Sequence, residues 1–299
     1  MRGNYSKHEL SRRWFLHLGS MATLGAVISR TAAAKADAKM AWHADGEGME
    51  RIGLLVQSHD FNVEAELWAM APKGAAIFAS RMERGTQPFL THISDPSHAD
   101  AAIGLLTALK LRAIMYAYSG TSYAMGSAGE DAFRTRLVER AKGIPVVLAA
   151  AALSDALQAL DVQRLAIVHP PWYSEELNDK GKAHFSARGF QVVSCTRITP
   201  ARQFTEVAAK EVHGWIVANM PPNAEAVVVA GNGLRAVGAI DALESSLERP
   251  VITANQAMLW KGLNVAGVAS HIDQYGRLFK LGQAAAHHGA HPENGWRVA

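Results

Sequence analysis

Ala117-Tyr118-Ser119-Gly120-Thr121-Ser122 and Val228-Val229-Ala230-Gly231-Asn232-Gly233 decide the reading of this chain. Each follows an apolar run with the composition of a buried strand, and each precedes a segment with the pattern of a helix. Gly120 and Gly231 stand 111 residues apart, one strand-end glycine turn per half. Two such turns describe a duplicated α/β protein that closes a small anion site between its halves, at the carboxyl ends of its strands.

Working outward, strands alternate with helices along the chain, the pattern of parallel sheets. Expected strands are 51–56, 75–81, 113–118, 145–148, 164–168, 191–194, 226–229 and 250–253. Between them lie expected helices at 62–70, 95–109, 129–142, 150–160, 174–187, 204–218 and 236–247, with a last one at 257–265. Pro145-Val146-Val147-Leu148-Ala149 and Pro250-Val251-Ile252-Thr253-Ala254 are each followed by a helix, which marks an internal repeat. The expected architecture is therefore α/β, with two pseudo-symmetric parallel-sheet halves and the site between them. Residues 49–160 plus 253–280 form the first half and 161–252 the second.

The ends of the chain read differently. Arg2, Lys7, Arg12 and Arg13 precede a moderately apolar stretch from Trp14 to Ile28, and Ser11-Arg12-Arg13-Trp14-Phe15-Leu16 reads as a twin-arginine export signal. Small residues offer cleavage after Ala34 or Ala36, so 1–36 is expected to be a signal peptide and the mature protein to be periplasmic. A membrane anchor is the alternative, but the stretch falls short of the ~20 apolar residues of a spanning helix. The tail, 281–299, carries His287, His288 and His291 and reads as a flexible terminus or, alternatively, a metal site.

Removing the signal leaves about 263 residues, enough for one large α/β domain or two small ones. The formal charge of +3 is concentrated in the signal, so the remainder is near neutral or slightly acidic. That argues against nucleic acid or an acidic membrane as a partner. Cys195 is the only cysteine, which excludes an intramolecular disulfide. The chain has no dinucleotide fingerprint, no P-loop and no convincing metal cluster, so no cofactor or metal is expected.

Candidate site residues cluster at strand ends. Gly120, Thr121 and Ser122 offer close backbone approach and two hydroxyls to a carboxylate or a developing enolate, or else form an ordinary helix cap. Gly231, Asn232 and Gly233 offer an amide between two glycines, with a plain turn as the alternative. In His169-Pro170-Pro171-Trp172-Tyr173, Tyr173 could donate to an anion, Trp172 could wall the pocket and His169 could shuttle protons; a packed aromatic loop is the competing reading. Asp60 or His59 could act as a base, and Cys195 reads as a buried, inert thiol rather than a nucleophile.

The order and spacing of these segments resemble the aspartate/glutamate racemase superfamily, in its arylmalonate decarboxylase and maleate isomerase branch. The likeness runs from about Arg51 to Phe279. It is carried by 117–122 with Gly129-Glu130, by the proline-aromatic loop 170–173 with Asn178, by 229–234, and by Tyr275-Gly276-Arg277-Leu278-Phe279. The resemblance implies two α/β halves with the active site between them. It implies catalytic cysteines at the positions of Gly120 and Gly231; a glycine at the first, followed by Thr-Ser, is most similar to the decarboxylase. Glycine at 231 is a departure.

The function implied is an exported decarboxylase or isomerase acting on a small (di)carboxylic acid through an enediolate-stabilising anion site. Asp60, Tyr173 or His169 would replace the missing proton donor, and Gly120, Thr121, Ser122, Trp172, Gly231, Asn232 and Gly233 would bind substrate. The alternative is an inactive extracytoplasmic binder of an organic acid. Partners are then the acid and the export machinery, with no stable membrane association after cleavage and homo-oligomerisation left open.

Overall fold

Buried β-branched and aliphatic runs form the strands of the computed structural model, which describes residues 48–201 and 207–281. The segment read as a signal and the tail beyond Leu281 lie outside the described residues. In chain order the elements are β1 (Glu50–Gln57), α1 (Asn62–Met70), β2 (Ala75–Met82), α2 (Phe89–Ser94), α3 (Asp100–Leu106), β3 (Ala113–Tyr116), α4 (Ser119–Arg140), β4 (Val146–Leu148) and α5 (Ala149–Ala159). The same order of strands then recurs: β5 (Arg164–His169), α6 (Glu175–Ser186), β6 (Gln191–Arg197), α7 (Ala209–Asn219), β7 (Ala226–Val229), α8 (Ile240–Leu247) and β8 (Val251–Thr253), closed by α9 (Ala254–Ala266).

Each half holds a four-stranded, wholly parallel sheet, ordered β2-β1-β3-β4 in one and β6-β5-β7-β8 in the other. The strand order reverses direction between β1 and β3, and between β5 and β7. In doubly wound sheets such switch points open a crevice at the carboxyl ends of those strands.

The strands alternate between cores. Leu54, Met115, Ile167 and Val228 belong to one large core shared by the two halves, with Leu153 and Leu157 of α5 and Met258 and Trp260 of α9. Leu55, Tyr116 and Phe133 belong to a separate core on the outer face of the first sheet, and Val168, Val229 and Leu243 to one on the second. α9 packs against α5 and β3, so the chain returns to its first half after β8. Its start is written in sequence: Thr253 accepts from the Gln256 amide at 3.2 Å and Gln256 accepts from the Thr253 amide at 3.2 Å, a capping box.

Several elements differ from expectation. The helix expected at 95–109 is shorter, with a 3-10 turn at Thr107–Leu109, and α2 had no counterpart in the reading. The helix expected from 204 starts at Ala209, with 202–206 outside the described residues, while β6 runs on to Arg197. Most consequentially, Gly120 is not in a turn. Helix α4 begins at Ser119, ten residues earlier than expected, and Gly126 (φ 68°, ψ 179°) breaks it near its start. Small polar residues masked the first two turns, because Ser, Thr and Gly carry no apolar periodicity. Gly231 is a true left-handed turn, with φ 91°.

Candidate active site

The loops after β1, β2, β3, β5 and β7 converge on a cavity of about 420 Å³. Its first-half wall is built from Gln57, Asp60, Arg84 and Tyr118, and its second-half wall from Trp172, Tyr173 and Gly231 to Gly233. The two glycine segments are hydrogen-bonded to each other across the halves. The Ser119 amide donates to Asn232 Oδ1 at 3.0 Å, and the Gly231 amide donates to Ser119 Oγ at 3.2 Å. Asn232 Nδ2 donates to Asn255 Oδ1 at 2.8 Å, and Asn255 Nδ2 returns a bond to the Asn232 carbonyl at 2.8 Å.

From the first half, α1 holds the same loop. Asn62 Nδ2 donates to the Gly233 carbonyl at 2.7 Å, and Glu66 Oε1 accepts the amides of Ala236 and Val237 at 2.9 and 3.1 Å. The backbone amides of Asn232 and Gly233 have no hydrogen-bond partner among the described residues. Two adjacent unpaired amides in a cavity wall form a ready anion seat.

Tyr173 occupies the centre of this junction. A Cβ built on Gly120 would lie 3.5 Å from its hydroxyl oxygen, and a Cβ built on Gly231 would lie 3.5 Å from the same atom. One phenol thus faces both glycine positions. Its hydroxyl is closed from solvent and has no hydrogen-bond partner among the described residues. Burial pushes it up to about 12; the Ser119 hydroxyl opposes that shift from nearby, without the alignment of a hydrogen bond. His169 stacks beneath the ring with centroids 5.3 Å apart and the planes at 25°. Its Nδ1 bonds Asn178 Oδ1 at 2.9 Å, and burial pushes the imidazole down to about 4.

Asp60 lines the cavity while accepting the amides of Asn62 and Val63 at 2.8 and 3.0 Å, where it closes the start of α1. Burial raises its carboxyl, and those two amide bonds oppose the rise. His59 beside it is held low, mainly by burial and then by the positive charge of Arg84. Arg84 stands at the end of β2 with no carboxylate partner among the described residues. The next residue packs tightly: a Cβ on Gly85 would lie 2.6 Å from the His92 ring, so glycine permits the loop to settle on His92 and hold Arg84 at the cavity.

Of the residues singled out by sequence, Asp60, Trp172, Tyr173, Gly231, Asn232 and Gly233 line the cavity. Gly120 faces the Tyr173 hydroxyl beneath the lining. Thr121, Ser122 and His169 are buried and are not part of the wall. The side chain of Asn232, read as a ligand for a carboxylate, is bonded to Ser119 and Asn255 instead, while its backbone amide has no partner among the described residues. Ser119, Asn62, Glu66 and Arg84 were not singled out as site residues. Arg84 followed a predicted strand, the position at which α/β sheets present functional side chains, and that signal could have found it.

A family model described as arylmalonate decarboxylase matches residues 101–279. The chain belongs to the arylmalonate decarboxylase family. The arylmalonate decarboxylase of Bordetella bronchiseptica is 25% identical over 176 residues, covering 57% of this chain and 72% of that protein. Among solved structures, the maleate isomerase of Pseudomonas putida S16 is 21% identical with a TM-score of 0.71, over 79% of this chain and 99% of its own. An unliganded arylmalonate decarboxylase is 20% identical with a TM-score of 0.67, over 78% and 99%. These structures share the two-sheet α/β fold described above.

The two central positions differ in the room they leave for a side chain. Both are glycine, with Tyr173 beside them. At 231 a side chain is excluded twice over: φ is 91°, and a Cβ would lie 2.3 Å from Pro170 Cγ and 2.7 Å from its Cδ. Position 120 is open, with its nearest neighbours at 3.5 to 3.8 Å. Cys195 does not line the cavity. Its thiol lies on edge strand β6, donates to the Asn178 carbonyl at 3.5 Å, and is pushed by burial up to about 12. A neutral thiol is a poor nucleophile. Among the described residues no group of three or more His, Cys, Asp or Glu could hold a metal ion, and no helix is long and apolar enough to cross a membrane.

Proposed function

We propose that this protein is a cofactor-independent decarboxylase of small malonate-type dicarboxylic acids, with Tyr173 as the proton donor. The observation that carries this reading is the unpaired Tyr173 hydroxyl set between Gly120 and Gly231. A phenol held at about 12 can give a proton to a carbanion but cannot remove one from a carbon acid at neutral pH. Racemisation needs removal as well as return. Decarboxylation needs only the return, because the substrate makes its own carbanion.

In this scheme the retained carboxylate sits on the amides of Asn232 and Gly233. The bond from the α-carbon to the other carboxylate breaks, CO₂ leaves, and the electron pair passes into the retained group as an enediolate. Donors aimed at such developing charge contribute about 3–4 kcal/mol each. Tyr173 then protonates the α-carbon, and solvent returns a proton to the tyrosinate after product leaves. The hydroxyl is closed from solvent, which keeps water from the intermediate. Arg84 at the wall draws the dianion in. Asp60 and His169 act as supports: one closes α1, the other carries the Tyr173 ring.

The twin-arginine pattern at 11–16 supports action outside the cytoplasm after export. The relatives' names support the substrate class, since one acts on arylmalonates and a solved P. putida maleate isomerase variant holds maleate. The test is a panel of malonate, methylmalonate, phenylmalonate and maleate, scored together for CO₂ release and thermal stabilisation. Release of CO₂ from a malonate in D₂O, with one deuterium fixed at the α-carbon, is expected. Stabilisation without product would assign the cleft to a binder, and conversion of maleate to fumarate would assign an isomerase.

A further inference from the structure

On the outer face of the first sheet a polar chain runs from a half-buried histidine into the first turn of α4. His98 Nδ1 is bonded to the backbone carbonyl of Asp95. A carbonyl only accepts, so Nδ1 carries a proton. His98 Nε2 lies 2.6 Å from the Tyr116 hydroxyl, and Tyr116 Oη lies 2.8 Å from Thr121 Oγ1. Tyr116 and Thr121 are fully buried.

These contacts fix every proton in the chain. In neutral His98, Nε2 is an acceptor and takes the Tyr116 proton; the Tyr116 oxygen then takes the Thr121 proton. Thr121 is committed to Tyr116 and has none to give elsewhere. Protonating His98 reverses each bond. Nε2–H donates to Tyr116, Tyr116 donates to Thr121, and the Thr121 proton is released. Thr121 directly follows Gly120, which faces the Tyr173 hydroxyl, and Ser119, which is bonded to the Gly231 loop.

We propose that His98 is a positioning residue that sets, through Tyr116, the direction of the Thr121 hydroxyl at the start of α4. The inference goes beyond the decarboxylase reading and does not depend on which acid is bound. Protonation of His98 is disfavoured by burial and by the neighbouring His92, with ring centroids 5.4 Å apart. The Asp95 carbonyl and the carboxylates of Asp95 and Asp100 favour it. Phe133 stacks on the remaining face at 5.5 Å, and Asp100 is itself paired with Arg136 and Arg140. The neutral arrangement therefore holds at pH 7, and the reversed one appears in acid. Protonated His98 adds a positive charge behind His92, which lines the cavity, so anion binding and His98 protonation strengthen each other reciprocally.

Two measurements test this on the whole protein. The first needs no ligand: ¹⁵N–¹H imidazole correlation NMR of wild type and Tyr116→Phe. Expected are an Nδ1–H tautomer for His98 and a pKa that falls by about half a unit to one unit in Tyr116→Phe, because the charged bond lost is stronger than the neutral one. An Nε2–H tautomer, or an unmoved pKa, overturns the proposal.

The second uses methanedisulfonate, a dianion whose charge is constant between pH 5 and 8. Its binding should tighten in acid by about fivefold more in wild type than in Tyr116→Phe or His98→Gln. Equal pH ratios in all three overturn the proposal, since His59 and His92 would then account for the whole effect. If the probe fails to bind wild type, the cavity reading fails, and the NMR measurement alone decides the role of His98.

Discussion

Replacing each central glycine by alanine should give opposite results. At Gly231 the new Cβ enters the left-handed region, which costs an L-residue about 1–2 kcal/mol. It also lands 2.3 Å from Pro170 Cγ, and Pro170 lies in a loop that two prolines make stiff. Overpacking of that kind costs about 1–3 kcal/mol. Together the two effects give a loss of about 2–5 kcal/mol, or about 4–20 °C in Tm for a domain of this size.

At Gly120 the Cβ meets its neighbours at 3.5 Å or more, and the residue lies in the first turn of α4. Alanine there should be neutral or stabilising by up to about 1 kcal/mol, since glycine is the poorer helix former. Turnover should nonetheless fall, because the methyl group occupies space beside the Tyr173 hydroxyl. Urea and thermal unfolding of both variants measure the difference. Equal stability of the two would refute the geometry assigned to Pro170 and Gly231. The same contrast predicts that cysteine can be introduced at 120 but not at 231 without also changing Pro170.

Asn232→Ala should lower stability by about 2–3 kcal/mol, seen as an earlier urea midpoint, because it leaves the buried Ser119 amide and the Asn255 side chain short of partners. Cys195→Ser should leave turnover unchanged, and wild-type Cys195 should resist iodoacetamide at pH 8, since its thiol stays protonated up to about 12. Rapid alkylation would contradict the burial assigned to it. His169 and His184 are each held down to about 4 by burial. Both stay neutral in the fold but protonate in the unfolded chain below about 6.5, so each contributes stability that is complete above that pH. That contribution drains away as pH falls from about 6.5 to 4, by up to about 3 kcal/mol per imidazole. Acid unfolding curves of His184→Gln should be visibly less steep over that window. Arg84→Ala should raise KM for a dicarboxylate about tenfold, a loss that added salt should mimic in wild type.

Much of the fold was legible because its strands are buried on both faces. Runs such as Ala226–Val229 leave little choice of structure, and apolar spacing marked helices such as α5. The start of α4 was not legible, since Ser119-Gly120-Thr121-Ser122 is equally good turn, cap or helix in isolation. What made it helix is tertiary: bonds from Ser119 to the Gly231 loop, 112 residues away, and from Thr121 to Tyr116. The surroundings of the Asn232 side chain were not legible for a related reason. Sequence shows an amide between two glycines but not the partners that consume its side chain. Arg84 escaped because its one signal, a position after a predicted strand, is shared by other loop residues; the packing of Gly85 on His92 shows that it is held in place.

The most direct test of the account is turnover by Tyr173→Phe. The variant keeps the ring against His169 and removes only the hydroxyl that faces Gly120 and Gly231. With a malonate that wild type decarboxylates, kcat should fall by about 10²–10⁴-fold while thermal stabilisation by the substrate is retained. A variant that releases CO₂ at the wild-type rate would show that the proton comes from another group.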